Sequence, residues 1–279
     1  VAGSGMRLSD DLVELEIEKL EKIIAIADAP DEKKLWKKLL SACKKGRRTG
    51  LGTHGLADAI ACLNLAYDSK EALKVIDNIY SALKDSAYKE SCLLARERGA
   101  FEVFDWEKEK ENLFIKSLAP ALQELMKKHG RRNISILTNA PTGSVSIMSQ
   151  TSSGLEPVFR NSYIRRRKLS HNDTDVEADF VDDLGDKWLE YKIYHHNVQE
   201  WINKHPKLKL PNFFVTSDKI DWEKRVEIQS TIQKHIDHAI SSTINLPKGT
   251  APKIVGELYF KGWKAGLKGI TVYVDGSRS

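Results

Sequence analysis

Near residue 131 the hydrophobic rhythm of the chain changes, and that change limits the possible folds more than any other feature. Residues 9–130 read almost wholly as helix. Ser9-Asp10-Asp11 offers a cap and first-turn acids ahead of Leu12, Leu15, Leu20, Ile23 and Ile24, which recur at roughly helical spacing. A second helix gathers Leu35, Trp36, Leu39, Leu40 and Cys43 on one face, with lysines opposite. Asp68-Ser69-Lys70-Glu71 has the form of a capping box. It opens a long amphipathic helix through Val75, Ile76, Ile79, Tyr80 and Leu83 toward Leu94. Gly99 stops that helix, and Arg96 and Arg98 fall in its last turn.

Beyond 131, short apolar runs alternate with helical ones. Asn133–Thr138 is a strand candidate ending at Ala140-Pro141-Thr142-Gly143-Ser144. Ala178–Tyr194 reads as a hairpin about Asp182-Asp183-Leu184-Gly185-Asp186. Asp221 opens a helix to about Ile240, Ser242–Leu246 reads as a strand stopped by Pro247, residues 251–265 as a helix, and Gly269–Val274 as a last strand. Strand, helix, strand, helix, strand argues for α/β with a largely parallel sheet or barrel. No internal repeat or low-complexity linker divides the chain. The expectation is one domain, mainly helical over 1–130 and α/β over 131–279, with a β-hairpin insertion near 177–194.

Composition narrows the classes. With 41% hydrophobic and 30% charged residues the chain can build an ordinary core. Lys+Arg 44 against Asp+Glu 39 leaves +5, too little by itself to mark a nucleic-acid protein. Cys43, Cys62 and Cys92 form no CxxC pair, which speaks against a disulfide framework or zinc cluster and for a reducing, cytoplasmic setting. No apolar run approaches the roughly 18–20 residues that span a bilayer. Val1–Met6 lacks the apolar core of a signal peptide and reads as a scar before Met6 or a cut edge. Secretion and membrane insertion are both disfavoured.

The most informative segment is Asn139-Ala140-Pro141-Thr142-Gly143-Ser144-Val145-Ser146-Ile147-Met148, where a β-like run meets a helix start. Such a start exposes unpaired N–H groups and the positive end of the peptide dipole, which suits a phosphate. Thr142, Ser144 and Ser146 offer hydroxyls, and Gly143 permits close backbone approach. An ordinary capped turn accounts for the same residues, and Met148 reads as packing. Thr151-Ser152-Ser153-Gly154-Leu155-Glu156-Pro157 follows; Glu156 is either a base or ligand, or the segment merely steers the chain out of the helix.

Arg165-Arg166-Arg167-Lys168 is the densest basic run, but the acidic stretch 173–186 lies beside it, so nucleic acid is disfavoured. Among the histidines there is no HExxH motif and no Cys/His cluster. His195-His196 in a strand would point to opposite faces, whereas His235 and His238 share a helix face but lack a third ligand and read as surface or interface residues. The cysteines sit in helical patterns with apolar neighbours and read as core or near-core, not as nucleophiles. Gly46–Gly55 holds glycines without a GK[ST] or a preceding strand, so a tight helix-to-helix connection is the better reading.

Taken in order, these segments resemble one family. Arg47-Arg48-Thr49-Gly50-Leu51-Gly52-Thr53-His54-Gly55-Leu56-Ala57-Asp58 is similar to a helix-turn segment of ribonucleotide reductase large subunits. Ala140–Ser146 with Thr151–Pro157 is similar to the family's substrate-phosphate segment. Ser242-Thr243-Ile244-Asn245-Leu246-Pro247 and Gly266–Tyr273 are similar to two later strand segments. The wording is most like the adenosylcobalamin-dependent, class II enzymes. The resemblance implies the C-terminal half of a ten-stranded α/β barrel acting on a ribonucleotide, with Pro141, Thr142, Gly143, Ser144 and Val145 at the substrate's phosphates and Tyr273 in the active-site wall. Val274 stands where the cobalamin enzymes usually carry arginine. The family's radical cysteine lies in an N-x-C-x-E motif, and these 279 residues contain none. The resemblance therefore implies a split subunit or fragment with no catalytic residue and no metal ligand of its own. It would be inactive without a separate N-terminal half and would be able to form homo-oligomers. The alternative is a non-catalytic nucleotide- or nucleic-acid-binding relic of the barrel; a neighbouring reading frame carrying the missing motif would decide between them.

Overall fold

A computed structural model describes residues 1–170, 173 and 176–277. In chain order the elements are α1 (Ala2–Ile26), α2 (Pro30–Gly46), α3 (Leu56–Cys62), α4 (Lys70–Arg98), α5 (Trp106–Glu109), α6 (Leu113–Lys116), α7 (Pro120–His129), α8 (Gly143–Ser149), β1 (Ser162–Lys168), β2 (Phe180–Val181), β3 (Lys187–Tyr194), α9 (His196–Lys204), α10 (Trp222–Gln233), β4 (Thr243–Leu246), α11 (Pro252–Lys264) and β5 (Thr271–Val274). The chain divides into a larger unit (Val1–Thr53, Asp68–Pro141, Asp221–Ser279) and a smaller one (His54–Tyr67, Thr142–Ile220).

In the larger unit, α1 begins at Ala2, seven residues before the expected cap at Ser9. The reason lies in Asp10. Its carboxylate is fully buried and accepts from Arg47 Nε and Asn133 Nδ2, each at 3.0 Å, so it anchors the helix inward instead of opening it. Ser69 caps α4 as expected, accepting from the Ala72 N–H at 3.0 Å. Gly99, at φ 85°, ends it. On α2 the expected apolar face is only partly covered, since Leu35 and Leu39 are exposed.

A run of parallel segments forms the centre of this unit. Leu51 bridges Leu137, Asn139 bridges Ile240, and β4 pairs with β5 with Thr243 opposite Thr271. The array is open among the described residues. Residues 49–51 hydrogen-bond along 135–138, with Leu51 N–H donating to Ile136 O at 2.9 Å and Thr138 N–H to Leu51 O at 3.0 Å. A Cβ on Gly52 would stand 2.1 Å from the Thr138 carbonyl oxygen, so only glycine permits this approach. The glycine-rich stretch does connect α2 to α3, as its sequence suggests, but it passes through an extended segment.

The strand expected over Asn133–Thr138 appears only as these bridges, because the Asp237 carboxylate takes the Ile136 and Leu137 N–H groups, both at 2.8 Å. Likewise α10 stops at Gln233 and not near Ile240, since residues 238–241 run extended beside 137–139. His235 and His238 therefore share no helix face. His235 is buried, with Nε2 2.8 Å from Asp77 Oδ1. Val226, Ile244, Leu246 and Leu258 form a core between α10, β4 and α11.

The smaller unit holds a three-stranded antiparallel sheet in the order β1-β3-β2. The expected hairpin is β2 and β3, turned by Asp182, whose Oδ1 accepts from the Leu184 and Asp186 N–H groups at 3.0 and 2.9 Å. Its additional partner β1 is the basic run. There Arg166, Arg167 and Lys168 pair with Glu190, Asp173 and Asp186. Residues 174 and 175 of the acidic stretch lie outside the described residues. His195 is not in a strand; it precedes α9 as its N-cap. Among the described residues no helix is long and apolar enough to cross a membrane.

Candidate functional site

In the segment singled out by sequence the expected helix start is present, but the expected strand before it appears only as isolated bridges. Asn139 makes the last parallel bridge, Pro141 is exposed, and α8 starts at Gly143. Thr142 is its N-cap in the left-handed region, at φ 57° and ψ 29°. A β-branched residue enters that region at a cost of about 1–2 kcal/mol, so its surroundings must hold it there. The first bond closing α8 is Ser146 N–H to Thr142 O at 2.9 Å. The N–H groups of Gly143, Ser144 and Val145 belong to the first turn, which has no intrahelical acceptors. Gly143 and Ser144 are exposed, and a Cβ on Gly143 would meet nothing within 4 Å. The turn is open to solvent.

The three hydroxyls separate. Ser144 is on the exposed side, whereas Ser146 is buried and donates to Gly143 O at 2.9 Å, with Ser153 Oγ 2.8 Å away. Thr142 Oγ1 accepts from the Gly154 N–H at 2.9 Å. Val145, Ile147 and Met148 are exposed, Met148 by 86%, which corrects its reading as packing. A seven-residue helix with Ser146 turned inward has no room to bury its other face.

Thr151–Pro157 is a loop packed on α3. Ser152 O accepts from the Gly55 N–H at 2.8 Å, and the Asp58 carboxylate accepts from the Ser152 N–H at 2.5 Å. Tyr67 OH donates to the Leu155 carbonyl. Glu156 is half-buried, its N–H donating to Ser153 O. Asp58, Ser152 and His195 line a small cavity of about 20 Å³, enough for roughly one water. Sequence reasoning missed Asp58 as a functional residue. At the third position of a short helix it looks like any first-turn acid, and its partners lie far along the chain.

In the larger unit, Tyr273 is half-buried on β5 in register with Asn245. At the ends of the parallel segments, Asn139 Oδ1 accepts from the Thr53 N–H at 3.1 Å, and Thr53 Oγ1 lies 2.6 Å from Tyr80 OH. Burial pushes the Tyr80 phenol up to about 12. Of the cysteines, Cys92 is buried and Cys43 half-buried, but Cys62 is exposed, which corrects its reading as near-core. No group of three His, Cys, Asp or Glu side chains among the described residues is placed to hold a metal ion.

An α/β protein with parallel paired segments and an exposed helix start at Gly143 is the class these features define. The family described as "Ribonucleotide reductase, barrel domain" matches residues 7–273, and the chain belongs to it. It is 29% identical, over 100% of its length, to 36% of a "Vitamin B12-dependent ribonucleoside-diphosphate reductase" from Mycobacterium tuberculosis. It is 30% identical, over 84% of its length, to 29% of a protein of the same description from Thermoplasma acidophilum. The chain thus spans about a third of the length of these relatives. A solved structure, the "Actinobacillus ureae class Id ribonucleotide reductase alpha subunit", superposes with a TM-score of 0.66 at 18% identity, over 98% of this chain and 46% of that one, and shares the fold.

Proposed function

We propose that this chain is the C-terminal half of a ten-stranded reductase barrel, a split subunit or fragment of a cytoplasmic ribonucleoside-diphosphate reductase. In this reading Pro141, Thr142, Gly143, Ser144 and Val145 hold the substrate's phosphates and Tyr273 contributes to the active-site wall. The observation that carries the reading is the open first turn of α8, within a segment that resembles the family's phosphate segment. Backbone N–H groups fixed before the substrate arrives need no reorganisation to meet phosphate charge, and gripping the phosphates orients the ribose.

The radical step belongs to the assembled enzyme. Its partner is a separate N-terminal half carrying N-x-C-x-E, and its proposed cofactor is adenosylcobalamin, as the relatives' names suggest. The cavity beside Asp58, about 20 Å³, has no room for a corrin, so it is not the cofactor's site. No step is assigned to the cofactor on this chain. Its own residues bind and orient the nucleotide.

An NMR titration of the ¹⁵N-labelled chain with ADP tests the phosphate site. The amides of Gly143, Ser144 and Val145 should shift together, and Gly143→Glu should abolish the response by placing a carboxylate there without steric conflict. Shifts confined to other residues would refute the site.

A further inference from the structure

The loop that follows α8 is fastened on two sides within the smaller unit. Toward α8, the Gly154 N–H donates to Thr142 Oγ1 at 2.9 Å, and Ser153 Oγ lies 2.8 Å from Ser146 Oγ. Toward α3, Ser152 is gripped through both of its backbone groups, its carbonyl by the Gly55 N–H and its N–H by Asp58 Oδ2 at 2.5 Å. The other Asp58 oxygen accepts from Asn197 Nδ2 at 2.9 Å, with His195 Nδ1 3.6 Å away. The Asp58 side chain is 13% exposed. Its carboxylate is therefore a nearly buried junction whose partners all lie outside its own helix. A helix-dipole role alone would not require those partners.

We propose that Asp58 is a positioning residue for the phosphate turn, acting through Ser152–Gly154 to hold Thr142 in its left-handed N-cap conformation. The inference rests on the phosphate reading above. Thr142 is β-branched at φ 57°, a conformation that persists only where neighbouring groups over-determine it. The Gly154 N–H on Thr142 Oγ1 is one such constraint, and it is only as firm as the loop that carries it. Asp58 firms that loop with a charge-assisted bond, about twice as strong as one between neutral groups. Without it, the segment keeps Gly55 as a hold on Ser152, but its N–H loses a charged acceptor. Thr142 can then relax toward ordinary backbone angles and re-aim the Gly143–Val145 N–H groups. Asp58 itself does not touch the ligand.

ADP binding to the full chain, followed by calorimetry and amide exchange, tests this. Asp58→Ala should weaken ADP about tenfold or more while leaving the far-ultraviolet CD unchanged, as expected for losing a hydrogen bond to a charged group. Asp58→Asn keeps an oxygen for the Ser152 N–H and should recover affinity to within about threefold. In the wild type, ADP should slow exchange at Ser152 and Gly154 as well as at Gly143–Val145. That measurement also decides the matter should Asp58→Ala fail to fold. Unchanged affinity in Asp58→Ala, or protection confined to Gly143–Val145, would overturn the positioning role while leaving the phosphate site standing. No ADP binding by the wild type would refute both.

Discussion

A carboxylate taken out of water persists only where donors surround it, and Asp10 is enclosed by Arg47, Arg98, Arg132 and Asn133. Burial opposes its charge, but the Arg47 hydrogen bond and charge, with help from Asn133 and Arg132, outweigh this and hold the carboxyl below its ordinary 3.8. A pKa lowered by folding adds stability that is present above the unfolded value and lost as pH falls through the folded one. Asp10→Ala, which leaves the buried Arg47 with Glu14 as its one remaining ion-pair partner among the described residues, should cost about 3–5 kcal/mol in urea unfolding at pH 7. The gap between wild type and Asp10→Asn should close as pH drops below about 3.8. The thiols give a second check at this scale. Cys62 is exposed, whereas burial pushes the Cys92 thiol up to about 12. Native alkylation followed by mass spectrometry should mark Cys62 well before Cys92; equal rates would contradict the packing of α4.

Among the elements, the parallel segments depend on backbone contact more than on side-chain pattern. Gly52→Ala would drive a methyl group into the Thr138 carbonyl and should destabilise the chain by about 1–3 kcal/mol or more, whereas Gly143→Ala, which meets nothing within 4 Å, should leave the melting temperature nearly unchanged. The same contrast explains what the sequence made legible. The N-cap at Ser69, the stop at Gly99, the strand ended by Pro247 and the start of α8 are local events, encoded within a few residues, and each could be read directly. The register of 49–51 on 135–138 could not, because Asp237, about a hundred residues away, takes the N–H groups of Ile136 and Leu137. β1 was hidden for a related reason: Arg165–Lys168 shows no alternation, and only the pairing with β3 makes it a strand. At the candidate site the start of α8 was legible, but the hydrogen bond from the following loop to Asp58 was not, since Ser152 lies 94 residues further on.

For the whole molecule, the question is whether these 279 residues can perform reduction alone. In the proposed reading, reduction of the ribose needs a sulfur radical over the ring, and the resemblance assigns that sulfur to an N-x-C-x-E motif that these 279 residues do not contain. Of the chain's own cysteines, Cys92 is buried, Cys43 half-buried and Cys62 exposed, and they lie on helices α4, α2 and α3. The chain also presents surfaces of the kind that an assembly covers. Val145, Ile147 and Met148 are exposed along α8, and the parallel array of the larger unit is open among the described residues. The purified chain, given ribonucleotide, adenosylcobalamin and a dithiol, should therefore form no deoxyribonucleotide above background by chromatography. Adding a polypeptide that carries the N-x-C-x-E half should restore product, and Gly143→Glu in this chain should abolish it again without preventing association. Product from the 279-residue chain alone would show that the radical sulfur is one of Cys43, Cys62 and Cys92, and that the two-polypeptide reading is wrong.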